Sequence, residues 1–186
     1  SHPSEVIVIG TGATGGVAAL TFAEAGVKVL LVEAGPALSH QQALGSEPQN
    51  SINRVRGIIN GEKKIQAQHP GYWKANPLLY VNEKENPYTF PINKPFLWTQ
   101  GQQVGGRSLT WGGITLRLSD YDLSASKYDG YGPRWPIQYS DLSPHYLALE
   151  KFLQVHGNRD GLTQLPDGHF ENPLPFTTSE ESFGSA

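Results

Sequence analysis

Residues 6–36 read VIVIGTGATGGVAALTFAEAGVKVLLVEAGP. Val6, Ile7, Val8 and Ile9 form a continuous β-branched run, the pattern of a parallel strand buried on both faces. GTGATGG follows from Gly10 to Gly16. Val17, Leu20 and Ala23 then recur on one helical face, and Gly26 falls at the C′ position. Residues 27–32 read as a second buried strand, ended by Glu33, Ala34, Gly35 and Pro36. The spacing predicts a βαβ unit.

Such a unit carries its own chemistry. Gly10 permits a tight strand-to-helix turn, Gly12 lets backbone approach a pyrophosphate, and Gly15 lets the helix pack closely on the strand. Free N–H groups at the helix start, with the helix dipole, favour phosphate charge. Glu33 closes the second strand, where a carboxylate can accept hydrogen bonds from an adenosine ribose. The candidate cofactor-binding residues of this block are therefore Gly10, Gly12, Thr14, Gly15 and Glu33. An acid at Glu33 disfavours NADP, whose 2′-phosphate it repels, and leaves NAD and FAD both open.

Working outward, the pattern weakens. Over about 39–95, Asn, Gln, Pro and Gly interrupt every candidate element, and only pieces such as 55–59 look regular. This is expected to be an irregular excursion over the surface or over a ligand. A second glycine-rich block, GQQVGGRSLTWGGITLRL, runs over 101–118. Farther on a helix is expected with Ser143 as N-cap and Pro144 at its first position, Tyr146, Leu149, Phe152 and Leu153 sharing a face. After Gly157 the chain reads as irregular. The domain expectation is a nucleotide-binding region at 1–125, containing that excursion. A helix and irregular segment at 126–186 would lead into a further domain largely absent here.

Bulk properties narrow the partners. The 186 residues carry a formal charge of −3 and scattered basic residues, which gives no footprint for nucleic acid. There is no Cys, so disulfides, thiolate catalysis and Cys-based metal sites are excluded. No apolar run approaches the roughly 20 residues that span a bilayer, so a soluble chain is expected, cytoplasmic or periplasmic/secreted. Only two clear strands are present. A two-stranded parallel unit leaves an unpaired edge and exposed apolar faces, so the rest of the sheet is expected from later chain or from a second polypeptide.

Taken together, GTGATGG with VLLVEAG, then VGGRSLTWGGITLRLSDYDL, then WPIQYSDLSPHYLALEKF resemble the glucose–methanol–choline family of FAD-dependent oxidoreductases. The WGG variant and LPDGHFENPLPF look closest to the bacterial sugar- and glycoside-oxidising branch near pyranose oxidase. The resemblance covers the family's N-terminal part. It implies an α/β fold, a Rossmann-like FAD-binding βαβ unit left incomplete within this chain, and FAD as the cofactor. It makes Gly105, Gly106, Ser108, Trp111, Gly112 and Gly113 flavin neighbours. Some relatives carry a histidine that bonds covalently to the flavin where Thr110 stands; the resemblance therefore implies FAD held without a covalent link through Thr110. Arg107 replaces a Ser or Thr of the family, with a phosphate or an acidic side chain as its expected partner.

The implied reaction oxidises a CH–OH group of a sugar, glycoside or other alcohol, with hydride passing to the flavin. It needs a base for the hydroxyl proton. The resemblance places that base in a C-terminal part with no match here. His2, His40, His69, His145, His156 and His169 show no convincing pairing with an acid, and His69 is the least implausible of them. No catalytic residue and no metal ligand is assigned. Two further readings stay open: a non-catalytic subunit holding FAD or an adenine nucleotide beside another chain, and an NAD-dependent enzyme.

Overall fold

Strand β1 (Val6–Ile9) and strand β2 (Val29–Val32) pair in parallel, with Val6 opposite Val29 and Ile9 opposite Val32. Helix α1 (Ala13–Glu24) makes the crossover. It ends in a Schellman arrangement: the Gly26 N–H donates to the Ala23 carbonyl and the Val27 N–H to that of Phe22. The predicted βαβ unit is therefore present, in a computed structural model that describes residues 4–87 and 89–184. The expectation of strands buried on both faces does not hold within this chain: Ile7 is 62% and Ile9 84% exposed. The described sheet has two strands, too few to cover either face.

The chain divides into two compact units, up to Gly112 and from Gly113 on. In the first, the segment read as irregular contains α2 (His40–Leu44), α3 (Glu47–Ile59) and three 3₁₀ turns. Helix α3 has an inverted pattern, its inward face polar and its apolar residues outward. Asn50, Arg54 and Gly57, spaced as one helical stripe, are buried, whereas Ile52, Val55 and Ile59 are exposed. Arg54 reaches the Ala75 carbonyl (Nη2, 3.1 Å) and Glu47 (Nη1 to Oε1, 2.6 Å). Gly57 admits the Lys63 stem, which lies 2.8 Å from where a Cβ would stand.

These elements enclose a core that mixes aromatic and polar groups. Tyr72 is fully buried, its hydroxyl donating to the Arg54 carbonyl at 3.0 Å, and its ring lies 5.6 Å from that of Tyr80. Gln66 ties the core together, donating to the Val81 carbonyl (2.9 Å) and accepting the Gln100 N–H (3.0 Å). Lys63 Nζ donates to the carbonyls of Tyr80 and Val81. Burial holds this ammonium down at about 8, from 10.5, against the opposing pull of Glu62, Glu83 and Glu85. Between those values the unfolded chain binds the proton that the folded chain has released, so stability rises with pH across that window. Above about 10 the Tyr72 hydroxyl, pushed up to about 12 by burial, reverses the trend. Lys63→Met is expected to erase the rise above pH 8. Parallel urea melts of the two proteins check this; an unchanged slope refutes it.

The second unit contains α4 (Asp120–Leu123), α5 (Ala125–Asp129), α6 (Tyr139–Leu153) and α7 (Thr178–Gly184). Helix α6 begins four residues before the expected Ser143 cap. The Asp141 carboxylate accepts the Gln138 N–H at 2.8 Å, one arm of a capping box, and Pro144 sits inside the helix. No helix among the described residues is long and apolar enough to cross a membrane.

Candidate functional site

The turn between β1 and α1 leaves bare backbone open to a close-approaching group. Gly10 has φ +93°, open to glycine and strained for other residues. Gly12 is the N-cap of α1 and brings no side chain to cap it; the first turn contains no acid. No atom lies within 4 Å of where a Gly12 Cβ would stand. The positive end of a 12-residue helix thus opens onto free space beside bare backbone. Gly15 is needed for packing: a Cβ there would meet the Gly10 carbonyl oxygen at 2.0 Å. Thr14 lies exposed in the first turn.

Glu33 leaves β2 and turns back to this loop. Its Oε2 accepts the Thr11 N–H (2.9 Å) and the Thr11 hydroxyl (2.6 Å), and its Oε1 accepts the N–H groups of Ala34 and Gly35, both at 2.9 Å. These bonds, the Thr11 hydroxyl foremost, hold the carboxyl down at about 2. It is ionised at any physiological pH.

The second glycine block lies directly against the first. Gly35 faces the backbone of Gln102, and a Cβ on it would stand 2.0 Å from the Gln102 oxygen. The Val104 N–H donates to the Pro36 carbonyl at 3.0 Å. Gly105, at φ +89°, opens a 3₁₀ turn over Gly106–Leu109 and donates its N–H to the Thr11 hydroxyl at 3.1 Å. A Cβ on Gly106 would come within 3.0 Å of the Gly12 Cα. The Ser108 hydroxyl donates to the Gly105 carbonyl, and Gln103, buried, donates Nε2 to that of Gly106 at 2.8 Å.

Gly10, Gly12, Gly15 and Glu33 therefore share one cradle with Gly105, Gly106 and Ser108. Trp111 is half-exposed and Gly112 borders open space. Gly113, with φ +74°, begins the second unit. Thr110 gives its hydroxyl to the Arg107 carbonyl at 3.3 Å. Arg107 Nη1 donates to the Thr99 carbonyl at 2.6 Å, clamping the block to the preceding segment. His69 Nδ1 accepts the Gly71 N–H at 3.0 Å, and His156 Nδ1 lies 2.7 Å from the Asn172 carbonyl, both local structural contacts. His40 lies at the start of α2, His145 within α6, and the His169 N–H donates to Glu150; His2 lies outside the described residues. Sequence reasoning missed Thr11, Gly35 and Gln103. A hydroxyl between the first two glycines and a glycine two residues past the acid were the available signals.

Comparison with known proteins agrees with this geometry. Residues 5–47 match the FAD binding domain family. The chain is 30% identical over 156 residues to 6‴-hydroxyparomomycin C oxidase of Streptomyces lividus, covering 82% of this chain and 23% of that protein. It is 28% identical over 160 residues to paromamine 6′-oxidase of Streptomyces fradiae (84% and 24%). It is 25% identical over 187 residues to the fructose dehydrogenase large subunit of Gluconobacter japonicus (97% and 32%). The chain thus spans about a quarter to a third of the length of these curated relatives. The first unit carries a partial Rossmann-like FAD-binding fold.

Proposed function

We propose that this chain is the FAD-binding portion of an oxidoreductase of the glucose–methanol–choline type, on the sugar- and glycoside-oxidising side of that family near pyranose oxidase. The carrying observation is the joined cradle. A second glycine turn, Gly105–Gly106, packs on the first with only 3.0 Å between Gly12 Cα and the site of a Gly106 Cβ. A dinucleotide whose pyrophosphate lies at the first turn would run on along that second segment. The similarity to 6‴-hydroxyparomomycin C oxidase, paromamine 6′-oxidase and the fructose dehydrogenase large subunit supports a carbohydrate hydroxyl as the reacting group.

In this reading the open start of α1 and bare Gly12 receive the pyrophosphate. Glu33 faces the adenosine ribose, and Gly105, Gly106, Ser108, Trp111, Gly112 and Gly113 line the way toward the flavin, held without a covalent bond through Thr110. FAD held there would supply a hydride acceptor for oxidation of the substrate carbon. The base that takes the hydroxyl proton, and the remaining strands of the sheet, come from later chain or a second polypeptide. Anaerobic titration of the full-length protein with hexoses and aminoglycosides tests the reading. The visible flavin band is expected to bleach with at least one of them. A protein that holds flavin yet bleaches with none supports instead a non-catalytic FAD subunit, and a colourless one that binds NAD overturns the cofactor.

A further inference from the structure

The second unit holds three side chains outward that its own packing does not use. Helix α5 ends at Gly130, whose φ of +67° reverses the chain, and Gly132 follows at +78°. Pro133 and Pro136 fix their own φ, so residues 130–136 form a stiff loop. The loop presents Tyr131, Arg134 and Trp135. Tyr131 is 87% and Trp135 61% exposed, and none of the three has a hydrogen-bond, ion-pair or ring partner among the described residues. In the same unit Tyr121 and Tyr128 behave differently, stacking on each other at 4.8 Å. Two large rings left unpartnered on a stiff loop add little to the stability of the unit.

Tyr131, Arg134 and Trp135 line one hollow of about 410 Å³ together with Asp122. That volume falls in the range of small-molecule sites, roughly 300–1,000 Å³. Its charges are balanced, one guanidinium against one carboxylate. Asp122 spends Oδ2 on the Ser119 N–H (2.7 Å) and the Ser119 hydroxyl (2.8 Å), and its Oδ1 has no partner among the described residues. Arg134 can donate, Oδ1 can accept, and the Tyr131 hydroxyl can do both. An anion is repelled by Asp122 and a cation by Arg134. The ligand that suits this set is neutral, with hydroxyls at its edge and an apolar face to lie on a ring. A pyranose sugar has all of these.

We propose that the hollow beside residues 130–136 binds a neutral pyranose ring, stacked on Trp135 and hydrogen-bonded by Arg134, Asp122 and Tyr131. The slightly positive C–H groups of the sugar face meet the negative face of the indole. Because the loop is already stiff, little order is lost when the sugar settles. The site holds carbohydrate without reacting with it. All of its residues belong to the second unit, so it stands independently of the FAD reading.

Fluorine NMR of the full-length protein labelled with fluorotryptophan tests this. The Trp135 resonance is identified as the one absent from Trp135→Phe. In the wild type that resonance is expected to shift saturably with D-glucose or maltose. Tyr131→Ala and Arg134→Ala, both at exposed positions, are expected to raise the half-saturating sugar concentration about fivefold and about tenfold. A resonance moved by neither sugar overturns the proposal. So does a shift whose half-saturation neither variant changes, because the sugar then acts from another site. A Trp135 signal indifferent to replacing water by heavy water lies beneath protein. That result removes the sugar and assigns the hollow to a contact within the full-length protein. None of these readouts involves the flavin, so a failure here leaves the FAD reading standing, and a protein that holds no FAD leaves this site untouched.

Discussion

Gly35→Ala is expected to dismantle the cradle, whereas Gly12→Ala leaves it standing but unable to hold a pyrophosphate. The two glycines sit at opposite extremes of crowding. A Cβ on Gly35 would meet the Gln102 oxygen at 2.0 Å, the Gln102 carbonyl carbon at 2.2 Å and the Gln103 nitrogen at 2.5 Å. All three are backbone atoms, so no side-chain rotation relieves the clash. The second glycine segment must move away from Pro36, breaking the Val104-to-Pro36 hydrogen bond and pulling Gly105 from Thr11. Overpacking of this kind costs about 1–3 kcal/mol or more. A lowered melting temperature and loss of bound FAD are expected together. At Gly12 a Cβ meets nothing within 4 Å, and its φ of −63° suits alanine. Gly12→Ala is therefore expected to change stability by no more than about 0.5 kcal/mol. The added methyl instead stands where the proposed pyrophosphate would approach, so FAD affinity is expected to fall. Thermal melts beside flavin fluorescence titrations separate the two outcomes. A Gly12→Ala protein that binds FAD like the wild type removes the pyrophosphate from this loop.

What could be read from the sequence follows from where apolar and polar groups do the structural work. The βαβ unit was legible because its strands are unbroken apolar runs and its turn needs glycine for reasons that leave a spacing. Helix α3 went unread although Ile52, Val55 and Ile59 recur at helical spacing, because that stripe faces outward while Asn50, Arg54 and Gly57 form the buried one. Its inward face is held by hydrogen bonds, which leave no apolar mark in the sequence. Helix α6 was legible in its middle and misplaced at its start. Ser143-Pro144 imitates a helix beginning, but the Gln138 and Asp141 pair caps the chain earlier, and the proline is carried within. At the candidate site the glycines announced themselves by type. Thr11 did not, since its role depends on Glu33 and Gly105, 22 and 94 residues away in sequence. Contacts of that range leave no local pattern.

The second unit turns on one ion pair, and Glu150→Gln is expected to be the most damaging single change in it. Arg117 grips Glu150 with two parallel bonds, Nε to Oε1 at 2.7 Å and Nη2 to Oε2 at 2.6 Å. Both side chains are only 9% exposed. The remaining polar atoms are also engaged: Nη1 donates to the Tyr139 hydroxyl at 2.8 Å, and Oε2 accepts the His169 N–H at 2.7 Å. The pair bridges residues 33 apart and draws the 168–170 segment onto α6. Gly168 permits this, since a Cβ there would stand 2.6 Å from Oε1. Removing the charge from Glu150 leaves a buried guanidinium without a counter-charge, a loss of about 3–5 kcal/mol. Replacing both partners by apolar residues, as Arg117→Met with Glu150→Leu, is expected to cost much less than the two single changes added together. Acid supplies an independent check. The Arg117 hydrogen bonds hold the Glu150 carboxyl below its ordinary 4.5, outweighing the opposing effect of burial. The unfolded chain therefore takes up this proton first as pH falls. The stabilisation is complete above 4.5 and is lost as pH drops through the lower folded value, so wild type and Glu150→Gln are expected to converge in acid. Urea melts at neutral pH and at about pH 3 measure both effects. A neutral-pH difference under about 1 kcal/mol, unchanged in acid, would show the pair to be no stronger than a solvated surface contact.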